Sequence, residues 1–128
     1  QEMWRKLNFM TYLPNGIASP TADPDTDGVS NLVEYALGTP PQASNPSPFS
    51  VTQTPPASNT LNYQRNTDAT DITFLLEHST DLSPLSWTPL TPTSDVTVTT
   101  TGNTQTRAAV IPQAPGSHDF YRVKVTSP

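Results

Sequence analysis

Residues 22–38, "ADPDTDGVSNLVEYALG", hold the strongest chemical signal in the chain. Asp23, Asp25 and Asp27 alternate with other residues, and Gly28, Asn31 and Glu34 follow. With Asp23 as position 1, the aspartates occupy 1, 3 and 5, Gly28 occupies 6, Val29 occupies 7, Asn31 occupies 9 and Glu34 occupies 12. That is the ligand spacing of a twelve-residue calcium loop. Alternating oxygen ligands converge on one ion only if the chain turns sharply, and Gly28 supplies that turn at low steric cost. Val29 would offer its backbone carbonyl, and Asn31 would act directly or through water. Glu34, carried by a following helix, would close the sphere with both oxygens. Hard oxygen donors with no His or Cys nearby suit Ca²⁺ rather than zinc.

The plain alternative is a helix cap by Asp27 or Ser30, with the remaining acids solvated and favoured by the helix dipole. That alternative leaves unexplained why three aspartates crowd into five residues, where they repel one another without a cation. A bound ion would be structural, since every protein ligand is used and no acid–base pair accompanies it. A paired calcium switch is not expected. Position 8, which carries a hydrophobe in signalling EF-hands, is Ser30, and no second loop exists.

Two short helices must flank such a loop. "EMWRKLNFM", residues 2–10, places Trp4 and Leu7, with Met3 and Met10, on one apolar face. Ser30 to Leu37 reads as the second helix, burying Leu32, Val33, Tyr35, Ala36 and Leu37. Gly38 stands where a left-handed C-terminal cap belongs, and Pro40–Pro41 forbids continuation. Residues 1–40 thus form a helix–loop–helix element, and residues 41–60 a proline-rich extended linker with one short strand at Phe49–Thr52.

From residue 61 the apolar period becomes two. Leu61, Tyr63 and Arg65 alternate, then Ile72, Phe74 and Leu76, then Val96 and Val98. Ala109 and Ile111 follow, or Ala108 and Val110 in the other register, and finally Tyr121, Val123 and Val125. Five or six short strands with turns between them predict a mainly β chain over 61–128. The expected architecture is an antiparallel β-sandwich of immunoglobulin or fibronectin type, packed as one unit with the helical element. The turn "STDLSPLSW" should deliver Trp87 into its core.

Composition narrows the function classes. In 128 residues there are 15 prolines and no cysteine, so disulfides and thiolate metal sites are excluded. Only 13% of residues are charged and the net charge is −5, with the six cations scattered, which argues against nucleic acid. No apolar run reaches the roughly 18–20 residues of a membrane span. A start at Gln1 rather than Met fits a chain processed after export.

The acidic loop resembles those of thrombospondin type 3 and dockerin modules. The ordered set is more specific: Trp4 and Phe9, the 22–38 stretch, "FLLEHSTDLSPLSW" and a closing "FYRVKV". Together they resemble a module of secreted bacterial proteins, often found at the C-terminus of large surface proteins. The resemblance covers the chain from about Trp4 to Val125. It implies calcium at Asp23, Asp25, Asp27, Asn31 and Glu34, an extracellular β-sandwich and no catalysis. Where related loops continue "GTDP", this chain has "GTPP", which removes an acid from any second chained site.

Other arrangements carry less. His78 or His118 with Ser79 and Asp81 or Asp119 lacks a nucleophile elbow. Glu77 with Asp71 or Asp81 would make a glycosidase pair only in an unusually small domain; Glu77 facing Arg122 or Arg65 across strands, partly exposed, is expected instead. Sugar binding would need exposed aromatics, yet Trp4, Tyr35, Trp87 and Tyr121 fall at core positions, leaving Tyr12 and Tyr63. The uncharged, proline-free "VTVTTTGNTQT" could pair at an edge with another chain. The expectation is therefore a non-enzymatic, calcium-braced structural module of a bacterial surface or secreted assembly, partnered by itself or a parent surface protein. The alternatives are a filament or surface-layer subunit joined by strand or arm exchange, and a carbohydrate-binding module.

Overall fold

Period-two alternation becomes two antiparallel sheets in the computed structural model, which describes residues 1–54, 58–112 and 118–128, with Thr54 described by its backbone alone. Helix α1 (Glu2–Phe9) and α2 (Asn31–Leu37) come first, separated by a 3-10 turn (Gly16–Ala18) and the acidic loop. The strands are β1 (Phe49–Thr54), β2 (Ser58–Asn66), β3 (Thr73–Ser79), β4 (Thr88–Pro89), β5 (Ser94–Thr101), β6 (Thr104–Pro112) and β7 (Phe120–Thr126). One sheet has the order β1-β2-β6-β5 and the other β4-β3-β7. These orders match the A-B-E-D and C′-C-F positions of an immunoglobulin-type sandwich, with no strand at the G position among the described residues. No described helix is long and apolar enough to cross a membrane.

The core lies between the sheets. Leu61 and Tyr63 of β2, Leu76 of β3, and Ala109 and Ile111 of β6 are buried together, with Phe49, Phe74, Leu90, Tyr121 and Val123 packed against them. The Tyr63 and Phe74 rings stack at 5.6 Å, joining the two sheets. Of the two registers open for the sixth strand, Ala109 and Ile111 point inward, because Ala109 pairs with inward-facing Leu61. Residues 41–60 do more than link, since β1 runs the full length Phe49–Thr54 and pairs with β2 from Phe49↔Tyr63 to Thr54↔Ser58.

Several burial expectations need correction. In α1 the expected apolar face is open: Met3, Leu7 and Met10 are 64%, 75% and 77% exposed. The buried side chain is Arg5, whose Nε donates to the Tyr12 carbonyl at 3.0 Å. Trp4 instead meets Phe9 and Tyr35 edge-on at 5.8 and 5.6 Å. An eight-residue helix has room to bury one narrow stripe, and contact with the Tyr35 ring chooses which. Trp87 is half-buried outside the core cluster, with the Arg122 guanidinium 4.2 Å above its ring. In α2, Tyr35, Ala36 and Leu37 are buried as expected, whereas Leu32 and Val33 are half-buried. Gly38 takes the left-handed cap at φ 78°, and Val96 and Val98 on β5 are exposed.

Candidate metal centre

The acidic loop is held by its own backbone before any ion is considered. Asn31 N–H donates to the Ala22 carbonyl at 2.8 Å and Leu32 N–H to Pro20 at 3.0 Å, which folds the loop back onto the start of α2. Gly28 adopts φ 91° and Thr26 φ 62°, so the chain reverses between the second and third aspartates and α2. Each aspartate accepts at least one backbone N–H. Gly28 donates to Asp23 Oδ2 at 3.0 Å, Asp27 to Asp25 Oδ1 at 3.3 Å, and Val29 to Asp27 Oδ1 at 2.9 Å. Ser30 stands at the N-cap, and no side chain caps the helix there, so the capping alternative is not what these residues do.

The result is a carboxylate nest. Half-buried Asp23, Asp25 and Asp27 each bring one oxygen into a set lying within 4.8 Å of one another, a group that could hold a metal ion. Glu34 is outside that tight set and approaches from α2. It is fully buried, and its Oε1 receives only a 3.5 Å bond from the Thr39 hydroxyl. Burial first, and then the charges of Asp25, Asp27 and Asp23, push the Glu34 carboxyl up to about 7, against a smaller opposing effect of Thr39. Burial that disfavours the charged form is the main cause, and the nearby aspartate charges add to it.

Asn31 is 1% exposed, and its amide N–H groups donate to the carbonyls of Ile17 at 2.8 Å and Ser19 at 2.7 Å. These bonds orient the amide and leave its oxygen without a partner. Asp23 Oδ1, Asp25 Oδ2, Asn31 Oδ1 and Glu34 Oε2 are the buried side-chain polar atoms without a hydrogen bond among the described residues. All four belong to positions 1, 3, 9 and 12 of the spacing. Native interiors pair nearly all such atoms, and each exception calls for a cause. Four orphaned oxygens on one loop and helix fit the donor set of a hard cation. Asp27 differs, for both its oxygens are bonded; Oδ2 receives Asn45 N–H at 3.2 Å. Val29 sits half-buried between Gly28 and α2, where its N–H is held by Asp27.

Sequence reasoning missed the groups that tie this loop to the sheets. Asn45 carries no motif, yet its backbone joins the proline-rich segment to Asp27. Asn66 at the end of β2 donates to the Tyr35 carbonyl at 3.0 Å, and the Tyr35 hydroxyl donates to Asp71 Oδ1 at 2.7 Å. Tyr35 follows Glu34 directly and faces the sheets, a placement that helical periodicity suggests but cannot pair.

The remaining candidates do not assemble. The Ser79 hydroxyl accepts the N–H groups of Asp81 and Leu82 and contacts Ser86 and Asp81, which closes the turn after β3. Glu77 is buried, not partly exposed as expected: Arg122 Nε and Nη2 reach its Oε2 at 2.8 and 2.7 Å, and Lys124 lies 3.4 Å from Oε1. Arg65 does not join them and lies over the Phe74 ring at 5.4 Å. Burial alone would raise the Glu77 carboxyl, but these two cations outweigh it and hold it below its ordinary value.

The fold and loop define a mainly β protein of two antiparallel sheets with an acidic loop that could hold a metal ion. No protein-family model matches the chain, and no curated protein matches it.

Proposed function

We propose that this chain is a non-enzymatic structural module braced by Ca²⁺, with Asp23, Asp25, Asp27, Asn31 and Glu34 as side-chain ligands and Val29 contributing its carbonyl. The observation that carries the reading is the group of four buried, unpartnered oxygens at the predicted ligand positions. An all-oxygen set with several carboxylates favours Ca²⁺, which tolerates irregular geometry better than Mg²⁺. The ion would neutralise the nest and hold α2 in place. Through Tyr35 and Asn66 it would fix the helical element to the sandwich.

An extracellular setting would suit this chemistry, because millimolar calcium outside cells saturates even a weak site. At a hundred times Kd, binding adds about 2.7 kcal/mol to folding. We extend this to a role in a bacterial surface or secreted assembly, in line with the loop's resemblance to exported modules. Sugar binding draws little support, since Tyr12 and Phe120 are the exposed aromatics among the described residues.

Thermal unfolding of the wild type and Asp25→Ala, in millimolar calcium and in excess EDTA, tests the reading. Calcium should raise the wild-type midpoint and leave the variant unchanged, with magnesium much less effective. Identical wild-type midpoints in calcium and EDTA would overturn it.

A further inference from the structure

The alternation that builds the core changes character at one end of the sandwich. On β2 the core-side positions run Leu61, Tyr63, Arg65, and on β6 they run Ile111, Ala109, Arg107, Gln105. Arg65 pairs directly with Gln105, and Tyr63 with Arg107. Polar residues at three positions that the period assigns to the core side call for a cause. With Thr67, Thr70 and Ile72 of the connection after β2, they line a cleft of about 380 Å³. That is a size typical of small-molecule sites. None of its described lining residues is an acid.

Two of these side chains hold donors that the protein does not use. Among the described residues, the Arg65 guanidinium meets no carboxylate and donates no hydrogen bond. It lies over Phe74, whose ring in turn stacks on Tyr63, and this stack steadies the guanidinium while leaving its N–H groups free. Gln105 is steadied through its other end. Its side-chain oxygen accepts Arg107 Nη1 at 3.4 Å and the Thr97 hydroxyl at 3.5 Å. With the oxygen committed, the amide N–H groups of Gln105 have no acceptor among the described residues. Arg107 is itself spent, since it also donates to Tyr63, Asp95 and Thr97. It cancels the charge of Asp95, and Arg65 is left as the unanswered cation of the cleft.

We infer that this cleft is a binding site for a small polar molecule bearing one carboxylate. An ionised carboxylate only accepts hydrogen bonds, and a guanidinium fork beside an amide offers only donors to it. One unanswered cation matches one negative charge. Arg65 and Gln105 grip the carboxylate, and Arg107 is a positioning residue that turns the Gln105 amide with its donors free. The Thr70 hydroxyl and Ile72 meet the remainder of the molecule. The cleft shares no residue with the proposed calcium ligands, and the inference stands independently of the calcium reading.

Titration of the isotope-labelled protein with lactate, followed by NMR in calcium buffer, is the test. Glycerol serves as the neutral control and chloride as the ionic one. The side-chain amide of Gln105 and the backbone amides of residues 65–72 should shift and saturate with lactate and with neither control. Arg65→Gln should weaken binding about tenfold or more, as expected for the loss of a charge-assisted hydrogen bond. Gln105→Glu keeps an acceptor for Arg107 and sets a negative charge against the ligand, so the shifts should vanish. Circular dichroism establishes that both variants are folded, and the exposed position of Arg65 keeps at least that variant available. Shifts that do not saturate, that chloride reproduces, or that persist undiminished in Arg65→Gln overturn the inference.

Discussion

The Tyr35 hydroxyl donates to Asp71 Oδ1 across 2.7 Å, linking the helix behind the acidic loop to the connection between β2 and β3. Burial first, and then this bond to a carboxylate, raise the Tyr35 phenol above its ordinary value, so it stays protonated and keeps donating. Tyr35→Phe keeps the ring against Trp4 and removes only the hydroxyl. The expected loss is about 1 kcal/mol, the usual net worth of one hydrogen bond. Urea unfolding should show that loss equally in calcium and in EDTA, because no proposed ligand is touched.

Glu34→Gln separates the cost of the acid nest from its use. Without calcium, the buried carboxylate of the wild type repels its neighbours, and a neutral amide of the same shape does not. The variant should therefore be the more stable protein in EDTA at pH 8, by up to about 3 kcal/mol for a carboxyl shifted to about 7. In calcium the order should reverse, because the variant loses the ion's contribution. Urea midpoints in the two buffers read both signs.

The same group sets a pH dependence. A carboxyl whose folded value lies above its unfolded value adds stability that is complete below the unfolded value near 4.5 and disappears as pH rises through about 7. Metal-free protein should thus lose stability between pH 5 and pH 7.5, and calcium should abolish that loss. Glu77 acts in the opposite direction. Its lowered value contributes stability that is present above the unfolded range and fades as pH falls through the folded value. Melting curves from pH 3 to 8 with and without calcium check both.

Glu77→Gln should cost about 2 kcal/mol, well above the value of a surface pair. The carboxyl is buried on the face that Arg122 and Lys124 cover, although both cations are partly exposed, which keeps the loss below that of a fully buried pair. Urea unfolding in low and high salt measures it, and high salt should leave most of the difference in place.

Gly38→Ala strains two things at once. The left-handed φ of 78° disfavours any side chain, and the new Cβ would meet Thr104 Oγ1 at 2.7 Å. The expected cost is about 2 kcal/mol, of which roughly half is the backbone term. Chemical denaturation gives the total, and Gly38→Ala combined with Thr104→Ala should recover the steric part.

Much of the site was legible because its information is local. The spacing from Asp23 to Glu34, the turn at Gly28 and the stop at Gly38 follow from backbone sterics and helix geometry within seventeen residues. The alternation of Leu61 with Tyr63 and of Phe74 with Leu76 likewise announced a two-faced sheet. Period two says that a strand has an inner face but not which neighbour lies against it, so Ala109 and Ala108 stayed equivalent until β2 supplied a partner.

What the sequence determined by itself, then, was a loop built to gather oxygens and a chain of alternating strands, since both depend on near neighbours. Tertiary structure decided which oxygens are left without hydrogen bonds, that Glu77 is sealed beneath two cations, that Met3, Leu7 and Met10 face water, and that β5 ends its sheet uncovered. Each of these depends on what the rest of the molecule brings to the residue, and burial is a property of that surrounding, not of the residue.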